Sequence, residues 1–228
     1  MANATDTSPD RNRAILLIGP TGSGKTPLGE MIEERGLWGR KCLHFDFGAN
    51  LRDAVRRNSP DELIGSNDIL FLRGVLESGA LLEDDDFPIA ARVLASFMAR
   101  RGADRQTDIV LNGLPRHVGQ AGAITQMLDV RTVIRLQCSR ETVISRISSN
   151  AGGDRTGRED DQRAAVDEKL AVFQRRTLPL VDYYRKENAR IEIVEVTPPM
   201  SAGQMWDVLS RRSGPLQSSD HAGKLKLE

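Results

Sequence analysis

The chain has 228 residues, with 32 basic and 32 acidic side chains and no net charge at pH 7. That balance excludes a broadly basic nucleic-acid surface or a cationic membrane face as the main interaction, and the length suits one domain with small inserts. No apolar run reaches membrane-spanning length and no apolar signal region opens the chain, so a cytoplasmic protein without nucleic-acid or membrane partners is expected.

Residues 1–12 read as a disordered polar tail. Ala14–Ile18 is wholly apolar, as in a central parallel strand covered on both faces. Gly19-Pro20-Thr21-Gly22-Ser23-Gly24-Lys25-Thr26 follows, and then a helical stretch from Leu28 to Arg35. This is G-x-x-x-x-G-K-T between a strand and a helix, the context a phosphate-binding loop requires. Its glycines let successive N–H groups turn inward around an anion, and the positive end of the helix points to the same place. Lys25 adds a mobile cation for the outer phosphates of a nucleoside triphosphate, and the Thr26 hydroxyl suits Mg²⁺.

Further on, Lys41–Phe47 reads as a second strand ended by Gly48, and 50–57 as a short helix. Apolar residues from Asn67 to Ser78 recur at helical spacing, with Gly79 as the cap. Asp84-Asp85-Asp86 opens a helix whose stripe is Phe87, Ala90, Val93, Leu94, Phe97 and Met98. Thr107–Leu111 is the third strand, Arg116–Leu128 a helix, and Arg131–Cys138 the fourth strand. Ser139 caps the next helix. A polar loop, 148–157, precedes a helical segment from Glu159, and Pro179 opens another. Arg190–Val196 is the fifth strand, Ser201–Arg212 the last helix, and 213–228 a disordered tail. Cys42 and Cys138 are isolated and read as small core residues. Strands alternating with helices predict an α/β fold with a five-stranded parallel sheet and helices on both faces. Ligands of such a sheet sit outside the carboxyl ends of its strands, where the polar groups of this chain concentrate.

Several motifs beyond the loop resemble the adenylate kinase family of nucleoside monophosphate kinases. The family's D-G-F-P-R-T-x-x-Q-A is similar to Asn112-Gly-Leu-Pro-Arg116-His-Val-Gly-Gln120-Ala121. G-R-x-D-D before a long helix is similar to Gly157-Arg158-Glu-Asp160-Asp161, and T-x-P-L-x-x-Y-Y to the segment from Thr177 to Tyr184. L-R-x-A-V is similar to the segment from Leu51 to Val55. The resemblance runs from about residue 13 to 212. It implies the P-loop kinase fold over 13–212, with a small acceptor-binding insert at about 46–82 and a short lid at about 148–160. It also implies phosphoryl transfer from ATP, with Mg²⁺, to a nucleoside monophosphate, AMP foremost. A monomer is expected on separate grounds, because the sequence leaves no large apolar face unassigned. Lys25, Arg116, Arg158 and Lys169 would then be catalytic, and Gly19–Thr26 with Thr197 and Pro198 would bind ATP. Gly48, Arg52, Leu82, Arg116, Gln120 and Arg158 would bind the acceptor.

The departures from the family pattern matter equally. Its aspartate before G-F-P-R is Asn112, which keeps a hydrogen-bonding group but not the charge, so metal support through water is expected to be weak. Asp46 and Asp108 are candidates to restore that charge, and sequence alone leaves their placement open. T-G-D is replaced by Phe47-Gly48-Ala49, a lid arginine by Asn150 with Arg155 nearby, and a further arginine by Lys169, which lacks the bidentate fork. The lid has no cysteine set for zinc. These departures keep two other readings open: a P-loop kinase for another small acceptor, and a nucleotide-binding sensor or scaffold without catalysis.

Overall fold

The computed structural model describes residues 11–78, 82–153 and 163–214. Its centre is β1 (Asn12–Ile18), flanked by β3 (Thr107–Asn112) and β4 (Leu128–Gln137), with β2 (Lys41–Asp46) and β5 (Arg190–Glu195) at the edges. All four pairings are parallel, in the order β2-β3-β1-β4-β5. The apolar run of β1 does what such a run requires. Ala14, Leu16 and Ile18 pack on one face of the sheet and Ile15 and Leu17 on the other, each buried.

The helices are α1 (Lys25–Arg35), α2 (Phe47–Arg57), α3 (Ser66–Ser78), α4 (Phe87–Arg100) and α5 (Val118–Met127). They continue with α6 (Arg140–Ser148), α7 (Arg163–Val172), α8 (Leu180–Lys186) and α9 (Ala202–Ser210). On one side, Leu28 and Ile32 of α1 and Met205 and Leu209 of α9 cover Ile15 and Leu17. On the other, α4, α5 and α8 contribute Val93, Leu94, Ile124, Leu180 and Tyr184 to the larger core. Helix α1 lies unusually close to β2. A Cβ added at Gly29 would come within 2.3 Å of the His44 ring, so only glycine fits there. Among the described residues, no helix is long and apolar enough to cross a membrane.

Element boundaries differ from the sequence expectation where side chains take over backbone bonding. The second strand ends at Asp46, not Phe47, because the Asp46 carboxylate accepts the Ala49 N–H and caps α2. Gly48 therefore lies in the first helical turn. Helix α5 begins at Val118, not Arg116. The Gln120 side chain accepts the Arg116 N–H, and His117 is extended at the helix start. Leu128, expected to end that helix, opens β4 instead, because Leu128 and Val130 pair with β1 across a register shift between Ala14 and Ile15. The acidic triplet Asp84–Asp86 forms a single 3₁₀ turn before α4. Past α7, Phe173–Thr177 winds as a π-helical turn. The cap expected at Gly79 lies outside the described residues, as do residues 1–10 and 215–228.

Candidate active site

The carboxyl ends of β1, β2 and β3 converge on the loop that follows β1. Gly22 and Gly24 hold φ of 72° and 93°, a left-handed backbone that side chains resist, and Gly24 is the N-cap of α1 without a side-chain cap. Glycine at the N-cap offers the first-turn N–H groups no side-chain acceptor, and a helix start of this kind attracts an anion. The Ser23 hydroxyl is fully buried and has no hydrogen-bond partner among the described residues. Lys25 Nζ donates to the carbonyls of Gly19 and Pro20 at 2.7 and 2.9 Å, so its ammonium is curled over the loop.

Beside the loop lies a compact polar cluster. The Thr26 hydroxyl donates to Asp46 Oδ2 at 2.8 Å. Asn112 Nδ2 reaches the same carboxylate oxygen at 2.9 Å and Thr26 Oγ1 at 3.1 Å. His44 Nε2 stands 3.5 Å from Asn112 Nδ2. Burial pushes the His44 imidazole below its ordinary value against the opposing pull of Asp46 and Glu33, which favours the neutral ring beside the asparagine amide. Asp108, the other carboxylate that sequence left unplaced, is engaged elsewhere. It pairs with Arg40 at 2.6 Å and with Arg13 at 3.9 Å at the start region of β3.

Two adjoining clefts meet at this point, and Thr21, Lys25, Gly113 and Arg116 line both. One, of about 590 Å³, is completed by Gly19, Pro20, Lys169, Arg176 and Thr177. The other is completed by Gly22, Gly24, Thr26, Asp46, Gly48, Arg52 and Asn112. Arg116 Nε donates to the Gly113 carbonyl at 3.1 Å. Burial pulls the Arg116 guanidinium below its ordinary value, with Asp46 opposing and Arg176 adding to the shift. Arginine stays charged under such a pull. Arg52 is exposed at the rim, with Gly48 close under its guanidinium.

Gln120 and Leu82 come together, as expected for one site. Gln120 is buried, donates Nε2 to the Leu82 carbonyl at 3.0 Å, and accepts from the Arg116 N–H at 2.9 Å. Both ends of its amide are therefore bonded within the protein. His117 lies 3.5 Å from Asp84, so its nearest charge is acidic. Tyr184 packs in the core. Cys42 is buried and Cys138 half-buried, both free. Burial raises their thiols to about 12 and about 11, which leaves them protonated and inert at neutral pH. Arg158, with Gly157, Asp160, Asp161 and Arg155, lies outside the described residues, as does most of the lid.

Three residues of this region were missed or left unplaced by sequence reading. Arg146 on α6 is only 2% exposed. It donates to Gly22 O at 3.0 Å and to the carbonyls of Thr197, Pro198 and Met200 at 3.1, 3.1 and 2.7 Å. One guanidinium thus ties the phosphate loop to the segment after β5, where Thr197 and Pro198 are exposed. Its only sequence signal was an arginine on the otherwise apolar face of a helix. Arg176, in the π-helical turn, lines the larger cleft and grips Glu83 with two bonds of 2.8 and 2.6 Å. Asp46 is the third, named from sequence as a candidate to restore the charge lost at Asn112 but placed beside Thr26 only by the pairing of β2 with β3.

The chain is similar to known proteins over most of its length. A family model described as Adenylate kinase matches residues 17–189. An adenylate kinase of Xanthomonas euvesicatoria pv. vesicatoria is 30% identical over 210 residues, covering 89% of this chain and 98% of that protein. An adenylate kinase of Stenotrophomonas maltophilia is 31% identical over 176 residues, covering 75% and 84% respectively. An adenylate kinase of Prochlorococcus marinus is 29% identical over 185 residues, covering 78% and 87%.

Proposed function

This chain belongs to the adenylate kinase family and is a nucleoside monophosphate kinase that uses ATP; from that premise we propose that its acceptor is AMP and that the two clefts sharing Lys25 and Arg116 are where the two phosphates meet. The shared lining is the observation that carries the residue assignment. A kinase must bring donor and acceptor phosphates into line, and cations common to both clefts are placed to touch both.

In this reading the loop from Gly19 to Thr26 holds the ATP phosphates with backbone N–H groups, and Lys25 leaves its loop carbonyls to reach the transferring phosphoryl group. Thr197 and Pro198, fixed by Arg146, border the adenine of ATP. Arg116 and Arg52 hold the AMP phosphate, with Gly48 leaving room beneath Arg52. Gln120, bonded to Leu82 and Arg116, fixes the wall against which the AMP base rests. Lys169 and Arg176 add positive charge from the opposite wall, and Arg158 belongs to the lid that closes over both. The transition state is loose and highly charged, so catalysis here is positioning plus charge stabilisation. Closure excludes water and so suppresses hydrolysis of ATP.

Mg²⁺ accompanies ATP in this reading. The donor set fits it: the Thr26 hydroxyl and Asp46 carboxylate are hard oxygen groups at the mouth of the phosphate loop. When bound, the ion neutralises charge on the phosphates. Among the described residues no group of three or more His, Cys, Asp or Glu could cage a metal. That suits a site in which substrate phosphates supply part of the coordination.

The test is an acceptor panel. Mg-ATP is incubated with AMP, CMP, UMP or GMP, and nucleoside diphosphate formation is followed. AMP should be preferred by about 100-fold in kcat/KM, the discrimination expected of a pocket wall that selects by shape. A stronger rate with another monophosphate would move the acceptor assignment to that base.

A further inference from the structure

We propose that Asp46 supplies the carboxylate that supports the metal ion of the metal–ATP complex, and that Asn112 serves to hold that carboxylate in place. The inference rests on the kinase reading above and assigns its metal site to a different strand. Asp46 and Asn112 are partners in the β2–β3 register, at the last position of each strand. Moving a carboxylate from one to the other shifts its origin by one strand spacing, about 4.8 Å. Both side chains converge on the Thr26 hydroxyl, at 2.8 and 3.1 Å, and both line the cleft beside the phosphate loop.

The orientation of Asp46 is set on all sides. Oδ1 accepts the Ala49 N–H at 2.8 Å, which caps α2. Oδ2 is left facing Thr26 and Asn112. Asn112 presents its amide nitrogen to that oxygen, and a nitrogen donor there cannot itself ligate a cation. A carboxylate at 112 would stand against Asp46 at the 2.9 Å now spanned by the amide, and two like charges at that distance do not both ionise readily. The asparagine is thus explained as the neutral partner that an aspartate on β2 requires. Asp108 is excluded from the role, because Arg40 and Arg13 hold it at the other end of β3.

The experiment titrates Mn²⁺, as a probe for Mg²⁺, into the protein–ATP complex and reads free Mn²⁺ by electron paramagnetic resonance. Three variants are compared with the parent: Asp46→Asn, Asn112→Asp, and the double exchange. Asparagine is as good an N-cap as aspartate, so Asp46→Asn keeps the α2 cap. Metal-free ATP binding in EDTA, measured by calorimetry, should stay within about threefold of the parent in Asp46→Asn. Its Mn²⁺ affinity should fall by about 10- to 100-fold, the range for losing a group that supports a bound metal. The double exchange, with its carboxylate returned to β3, should recover most of that loss. Unchanged Mn²⁺ affinity in Asp46→Asn overturns the proposal, as does a double exchange as weak as Asp46→Asn alone. Failure of the parent to bind ATP in EDTA would instead count against the kinase reading.

Discussion

Replacing Lys25 with alanine lowers kcat/KM for phosphoryl transfer by about 10³, roughly 4 kcal/mol of transition-state stabilisation. The reason is geometric. Lys25 lines both clefts, and its ammonium donates to the Gly19 and Pro20 carbonyls at 2.7 and 2.9 Å. Those are the loop's own acceptors, so the cation can move a short way to a phosphate without unfolding anything. The developing charge on the phosphoryl oxygens then meets a cation already beside it. The chain should still fold, with a lowered melting temperature: a hydrogen bond from a charged donor contributes about 1.5–3 kcal/mol, and less here because Lys25 is half-buried. Steady-state rates and a thermal melt together check this. Near-parental kcat/KM in Lys25→Ala contradicts the donor site.

Arg116→Ala acts on the acceptor side. It should raise the KM for AMP by about tenfold and lower kcat by about 10²-fold, leaving the KM for ATP within about threefold. Arg116 is anchored through Nε to Gly113 O, while Thr177 Oγ1 donates to its backbone carbonyl at 2.9 Å. Its backbone N–H is fixed by Gln120, which is itself fixed to Leu82. A guanidinium on such a support binds a phosphate and also aims it, so both parameters move. Lysine should rescue only part of the loss, because a point charge lacks the planar fork. Initial rates over a grid of AMP and ATP concentrations separate the two effects. An unchanged kcat would place the acceptor elsewhere.

Much of this architecture was legible in the sequence because it is written in local signals. The wholly apolar Ala14–Ile18 could only be a central strand, and the glycines after it demanded a tight turn into a helix. The five strands fell where apolar runs met turn residues. Errors arose where a side chain replaced a backbone partner. Gln120 holds Arg116 out of α5, and Asp46 starts α2 before Gly48. Neither interaction has a period that a sequence window can detect.

The site was legible to a similar depth. The loop and Arg116 carry motifs, and Lys25 and Arg116 do line common clefts. The relation between Asp46 and Asn112 is a property of neighbouring strands 66 residues apart in sequence, so it appears only once β2 and β3 pair. Arg146 belongs to the same class. Its role depends on four carbonyls brought together from the phosphate loop and from the segment after β5. Arg176 has a partner, Glu83, 93 positions away. Long-range polar pairs of this kind leave no spacing signature, whereas an amphipathic stripe does.

The central claim is transfer between two nucleotides, and product stoichiometry tests it most directly. Phosphorus NMR of the purified chain with Mg-ATP and AMP should show two ADP formed for each AMP consumed, with no free phosphate above the uncatalysed background. ADP and inorganic phosphate in equal amounts, with AMP untouched, would mean that the chain hydrolyses ATP without an acceptor and would contradict the account.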